Sequence, residues 1–138
     1  LLEVDAMLMN EKEILELIDE AIEARENAYV KYSGFKVGAV VIDEKGNHYR
    51  GANVENASYG LTNCGERTAI FSAVTNGMKN IAVICIVADT TGPVSPCGAC
   101  RQVIKEFAYE DTAIILANLK KEYKILSIED LLPYGFEL

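Results

Sequence analysis

Histidine is nearly absent from this chain: His48 is the single one among 138 residues. A metal site built on histidine would have to draw on that residue alone. Long apolar runs are missing too, and none approaches the roughly 20 residues of a membrane span. Positive charge is scarce, with 13 Lys and Arg against 21 Asp and Glu and a formal net charge of −8. Such a surface repels free nucleic acid, which argues against a broad DNA or RNA footprint and suits a small substrate better. Near the start, Glu3 and Asp5 stand where a secretion signal would carry Lys or Arg. A soluble, cytoplasmic protein is therefore expected, with neither nucleic acid nor membrane as a partner. No repeat, low-complexity tract or linker interrupts the chain. Residues 1–9 are expected to be a flexible N-terminal extension and residues 10–138 a single domain, in a chain whose 50% hydrophobic content can bury a real core.

Cysteine is what the chain does have. Three of its four cysteines lie in two short motifs, Asn63-Cys64-Gly65-Glu66-Arg67 and Ser95-Pro96-Cys97-Gly98-Ala99-Cys100-Arg101-Gln102. Without secretion signals, that spacing favours a metal over two disulfides. A structural zinc is normally closed by four protein ligands, whereas three leave a position for water, whose pKa then falls to about 7. Cys64, Cys97 and Cys100 are the expected ligands of one Zn2+ per chain, and Glu66 the residue that moves the water's proton. Taken singly, the Cys97 and Cys100 pair also suits a structural zinc knuckle or a redox dithiol. Glu66 alone would be an ordinary first-turn acid favourable to the helix dipole. A redox dithiol leaves Cys64 and Glu66 unexplained, and a structural zinc lacks its fourth ligand, because His48 is expected to be solvated beside a turn. Cys85 lies in the β-branched run Ile81 to Ala88 and reads as filler of a buried strand.

Periodicity places these motifs. Asn10 to about Lys31 carries Ile14, Leu17, Ile18, Ala21 and Ile22 at helical spacing. Lys36 to Ile42 and His48 to Val54 flank Asp43-Glu44-Lys45-Gly46-Asn47, which suits a hairpin turn. A second helix is predicted from Asn63, as its cap, to Asn76, stopping at Gly77. The Ile81 strand, a Gly92-Pro93 loop and a helix from Cys97 to Phe107 follow. Strands at Ala113 to Leu116 and Glu122 to Leu126, then a short helix from Ser127 or Ile128 to near Pro133, complete one α/β domain.

On this reading two helix N-termini converge on the metal. Three thiolates give zinc a formal net charge of about −1, which opposes deprotonation of its water. The positive helix ends offset part of that charge, and Arg67, one turn beyond Cys64, can add hydrogen bonds to the sulfurs. Arg101 is a weaker candidate for the same role. Cys64 and Glu66 would point apart within a helix interior, but in the first turn both can reach one water.

From about Asn10 onward the sequence resembles the small cytidine deaminases, the homotetrameric class with three cysteine ligands. Tyr32-Ser33-Gly34-Phe35-Lys36-Val37-Gly38-Ala39 is similar to that family's N-terminal substrate segment, and Asn53-Val54-Glu55-Asn56-Ala57-Ser58-Tyr59-Gly60 to its ribose-binding segment. The resemblance implies a three-layer α/β/α fold with a mixed sheet of about five strands. It implies a pyrimidine nucleoside substrate, with Asn53 and Glu55 on the ribose hydroxyls, Phe35 on the ring, and Tyr59 among the substrate contacts. Gly65 would offer backbone groups to the pyrimidine, where the family usually has alanine. Phe136 would close the pocket of a neighbouring subunit in a homotetramer with shared active sites.

The implied reaction is hydrolytic deamination of cytidine and deoxycytidine in pyrimidine salvage. A deaminase of another aminopyrimidine nucleoside, such as blasticidin S, is an alternative, and the Asn53 to Asn56 segment favours the ordinary nucleoside. A polynucleotide cytosine deaminase needs a surface for phosphates, which the acidic charge opposes. A structural-zinc interaction module would need neither Glu66 nor an open metal position.

Overall fold

The computed structural model describes residues 9–138; most of the expected N-terminal extension, residues 1–8, lies outside them. Helix α1, Glu11–Arg25, opens with a reciprocal cap: Asn10 accepts from the Glu13 backbone N–H at 2.8 Å, and Glu13 accepts from that of Asn10. It buries Ile14, Leu17, Ile18, Ala21 and Ala24. The helix ends six residues before the predicted Lys31. Beyond it Tyr29 bridges to Val54 and donates its N–H to the Asn53 carbonyl, so tertiary pairing overrides local helix propensity.

Strands β1, Val37–Asp43, and β2, His48–Ala52, form the predicted antiparallel hairpin. Asp43 Oδ1 closes its turn by accepting from the Lys45 and Asn47 N–H groups, and Gly46 supplies the positive φ of 90°. Helix α2, Gly65–Thr75, follows β2 and ends at Gly77 with φ 104°. Strand β3, Ile81–Ala88, is buried along all its length. Helix α3, Gly98–Phe107, runs without a loop into β4, Ala108–Asn118, which is longer than the predicted Ala113 to Leu116. Tyr109, Glu110 and Asp111 are exposed and carry no apolar alternation to reveal that extension. Strand β5, Tyr123–Leu126, and helix α4, Ile128–Leu131, complete the fold.

The sheet order is β2-β1-β3-β4-β5, with β3 and β4 parallel and the other neighbours antiparallel. Alternation along β3 sends Ile84 and Ile86 into a core with α2, α3 and α4, and Val83, Cys85 and Val87 into a second core with α1. This is the expected three-layer α/β/α architecture with a mixed five-stranded sheet. Because β1 is antiparallel to both β2 and β3, the latter two run in the same direction. Their C-terminal ends, Ala52 and Ala88, lie at one edge of the sheet beside Val37 and Gly38. The helices that follow these strands therefore begin at that edge, where ligands of open α/β sheets usually bind. Among the described residues no helix is long and apolar enough to cross a membrane.

Candidate metal centre and substrate pocket

Cys64 is the N-cap of α2 and Cys97 the N-cap of α3, while Cys100 lies in the first turn of α3. The predicted cap Asn63 is displaced by one position, and its side-chain amide donates instead to Thr68 Oγ1. No side chain caps α2, so its positive dipole end stands uncapped beside Cys64. On α3 the sulfur is itself the cap, because Cys97 Sγ accepts from the Cys100 N–H at 3.5 Å. The thiols of Cys64, Cys97 and Cys100 lie within 4.8 Å of one another. Zn–S bonds of about 2.3 Å in a tetrahedron put sulfurs roughly 3.8 Å apart, so this donor set fits zinc. The expected ligands are thus brought together from two helices.

Arg67 donates through Nη2 to Cys64 Sγ at 3.2 Å, as its place one turn along α2 predicts. Hydrogen bonding from the Cys100 thiol and from Arg67 lowers the pKa of Cys64 to about 5. Donation to Cys64, burial and the Glu66 charge push that of Cys100 up. Arg101 is turned elsewhere, donating to the carbonyls of Pro96 and Leu131 and to Ser95 Oγ, so the suggestion that it serves the sulfurs is not met. His48 pairs with Glu20 at 2.8 Å on α1 and takes no part in the cluster. Cys85 faces the opposite core and is fully buried, as a filler should be.

Glu66, in the first turn of α2, is only 4% exposed. Burial and the neighbouring Cys64 charge hold its carboxyl above the ordinary value against hydrogen bonds that oppose them. Gly65 is buried against β1, and a Cβ there would lie 2.9 Å from the Val37 carbonyl oxygen. Gly51 on β2 is packed more closely still, since its Cβ would meet Ala69 N at 2.3 Å. These two glycines let α2 sit directly on the sheet.

Of the residues expected at the nucleoside, Phe35, Asn53, Glu55 and Tyr59 flank the ends of β1 and β2 at this edge, while Phe136 lies on the C-terminal tail against α3. Asn53 is buried; its Oδ1 accepts from Val37 N–H at 2.9 Å and its Nδ2 donates to the Phe35 carbonyl at 2.8 Å. One N–H and one lone pair of the amide are left over. Glu55 accepts from the N–H groups of Tyr32 and Ser33 and from the Ser33 hydroxyl. These bonds, the Ser33 hydroxyl first, hold its carboxyl below the usual range. Tyr59 is exposed and stacks edge-on against Tyr32, with ring centroids 6.3 Å apart. A cavity of about 350 Å³ lies between Tyr32, Ser33, Glu55, Asn56, Tyr59 and Thr62. Phe35 and Phe136 expose their rings, and the Phe136 carbonyl accepts from Gln102 Nε2 at 3.2 Å. Sequence reasoning missed Val37 and the Ser33 hydroxyl as supports of this edge. Both lie within the Tyr32 to Ala39 segment, but neither type announces such a role.

Residues 11–116 match the model of the cytidine and deoxycytidylate deaminase zinc-binding region. The cytidine deaminase of Halalkalibacterium halodurans is 53% identical over 120 residues, covering 87% of this chain and 91% of that one. A crystal structure of cytidine deaminase from Burkholderia pseudomallei superposes with a TM-score of 0.86 at 46% identity, covering 93% of this chain and 100% of the other. The blasticidin-S deaminase of Bacillus cereus is more distant, at 30% identity over 88% of this chain and 91% of its own. The two cysteine motifs that assemble at the sheet edge fall inside the matched region, and the chain belongs to the zinc-binding cytidine and deoxycytidylate deaminase family.

Proposed function

We infer that this protein is a zinc-dependent deaminase of cytidine and deoxycytidine, yielding the uracil nucleoside and ammonia. The observation that carries this reading is the juxtaposition, where the N-termini of α2 and α3 meet, of three mutually close thiols with a buried carboxylate. Cys64, Cys97 and Cys100 would hold the zinc, which when bound supplies the Lewis acidity that activates a water at neutral pH.

Glu66 accepts a proton from the attacking water and delivers it to ring N3 as the C–O bond forms at C4. It then takes the water's second proton from the new C4 hydroxyl and passes it to the amine, which leaves as ammonia as the C–N bond breaks and the C4 carbonyl forms. One carboxylate thus serves as base and acid in turn, and its raised pKa suits a group that must both take and return a proton. Arg67 and the two helix N-termini offset the thiolate charge. Asn53 holds Phe35 and Val37 in place and keeps hydrogen-bonding capacity for a ribose hydroxyl. Glu55 and Tyr59 line the neighbouring cavity, Phe35 packs on the pyrimidine, and the Gly65 backbone contacts the ring. Cytoplasmic pyrimidine salvage is the setting that suits such chemistry.

A homotetramer with shared active sites accords with the exposed aromatics Tyr32, Phe35 and Tyr59 near this edge and Phe136 on the C-terminal tail, which a second copy would cover. The blasticidin reading is disfavoured by the weaker similarity to that enzyme. Purified protein with its zinc quantified should consume cytidine and deoxycytidine, read as the loss of cytosine absorbance, with blasticidin S run alongside. Full zinc content without turnover of either nucleoside would overturn the reading.

A further inference from the structure

The three thiols are not equally secured. Cys64 is tied to Arg67, and Cys100 is fully buried within α3. Cys97 is the exposed one, standing where an irregular segment from Asp89 to Pro96 meets the helix. The front of that segment is well anchored: Asn118 Nδ2 donates to the carbonyls of Thr90 and Thr91, and Val94 N–H to that of Ala117. Pro96 is buried, but the side-chain hydrogen bonds that hold the segment's last two residues, Ser95 and Pro96, all come from a single residue. Arg101 Nε donates to the Pro96 carbonyl at 2.9 Å, Nη2 to Ser95 Oγ at 2.7 Å, and Nη1 to the Leu131 carbonyl at 2.9 Å. The last acceptor lies at the end of α4, outside the segment. The planar guanidinium therefore pins the approach to Cys97 against a separate element.

We propose that Arg101 is a positioning residue for Cys97, so that the clamp from α4 to Ser95 and Pro96 governs how long the metal is retained. The inference rests on the three-thiolate reading of the site. Arg101 touches no sulfur; it restricts the backbone from which Cys97 projects, and a ligand free to swing away opens the route by which the metal leaves. Lysine cannot reproduce the clamp, since one ammonium cannot span three divergent acceptors in this geometry.

The test is the rate at which zinc passes from the loaded enzyme to excess chromophoric chelator. Arg101→Met should release zinc about tenfold faster or more, the scale typical for groups that orient metal ligands. Arg101→Lys should be intermediate and Ser95→Ala, which loses one contact of three, should show a smaller acceleration. Thr112→Val is the control for general destabilisation, because Thr112 Oγ1 donates to the Ile81 carbonyl at the opposite edge of the sheet. It should lower thermal stability while leaving zinc release at the wild-type rate. Release at the wild-type rate from the Arg101 variants, or acceleration in Thr112→Val matching theirs at equal loss of stability, would overturn the inference. If Arg101→Met does not fold, Arg101→Lys and Ser95→Ala carry the same comparison. Wild-type protein that binds no zinc would instead refute the thiolate reading itself.

Discussion

The carbonyl of Val37, at the head of β1, stands 2.9 Å from where a Cβ on Gly65 would be. The helix that begins at Cys64 therefore meets the sheet by backbone contact. Alanine is the better helix former by roughly 1 kcal/mol, so helix propensity alone favours Gly65→Ala. The close approach reverses that expectation, because relief requires moving either Val37 or the helix start that carries Cys64 and Glu66. We expect Gly65→Ala to lower kcat/KM for cytidine several-fold, equivalent to about 1 kcal/mol. Steady-state kinetics on zinc-loaded variant and wild type would check this; equal or improved kinetics would show that the helix mouth absorbs the methyl freely.

Cysteine reactivity separates the three clustered thiols from the fourth. Burial, and then the charge of Glu20, pushes the Cys85 pKa up to about 12, and its side chain has no exposure. Reaction with maleimide needs the thiolate and access to it. Zinc-loaded native protein should resist labelling, chelation should open Cys97 and Cys64 first and the buried Cys100 more slowly, and only denaturant should add Cys85. Mass spectrometry reads the number of adducts directly. Labelling of Cys85 under native conditions would contradict its placement between β3 and α1.

Much of the fold was legible because its signals are local and periodic. The unbroken apolar run from Ile81, rich in β-branched residues, and the stripe from Ile14 to Ala21 can each be satisfied in essentially one way. The zinc motifs were legible because few other chemistries place a Cys-x-Glu beside a Cys-x-x-Cys. What escaped were features set by distant partners. The end of α1 depends on Tyr29 pairing with Val54, and the exposed start of β4 depends on pairing between Ala108 and Ile81. The direction of Arg101 depends on α4, some 30 residues away in sequence, and its position next to Cys100 pointed instead toward the sulfurs.

The β1–β2 turn gives the protein an acid-sensitive element away from the metal. Burial alone would raise the Asp43 carboxyl. Donation from the Asn47 backbone and side chain, the Lys45 N–H and the Tyr49 hydroxyl outweighs it and holds the group below its ordinary value of 3.8. A carboxyl depressed in the folded state stabilises above its unfolded pKa, and that contribution fades as pH falls through the folded value. Asp43→Asn should therefore cost roughly 1 kcal/mol at pH 7, and the gap from wild type should narrow below about pH 4. Urea unfolding midpoints at pH 7 and pH 3.5 measure both quantities. A gap that widens in acid would contradict the assigned hydrogen bonds.

The central claim is that a zinc held by Cys64, Cys97 and Cys100 works with a proton carried by Glu66. Its most direct test is Glu66→Gln, assayed for bound zinc and for cytidine turnover in the same preparation. The amide keeps the size of the carboxylate but cannot take the water's proton. The variant should hold about one zinc per chain and show kcat lowered by at least about a hundredfold. Near-normal turnover with zinc retained would remove Glu66 from the mechanism.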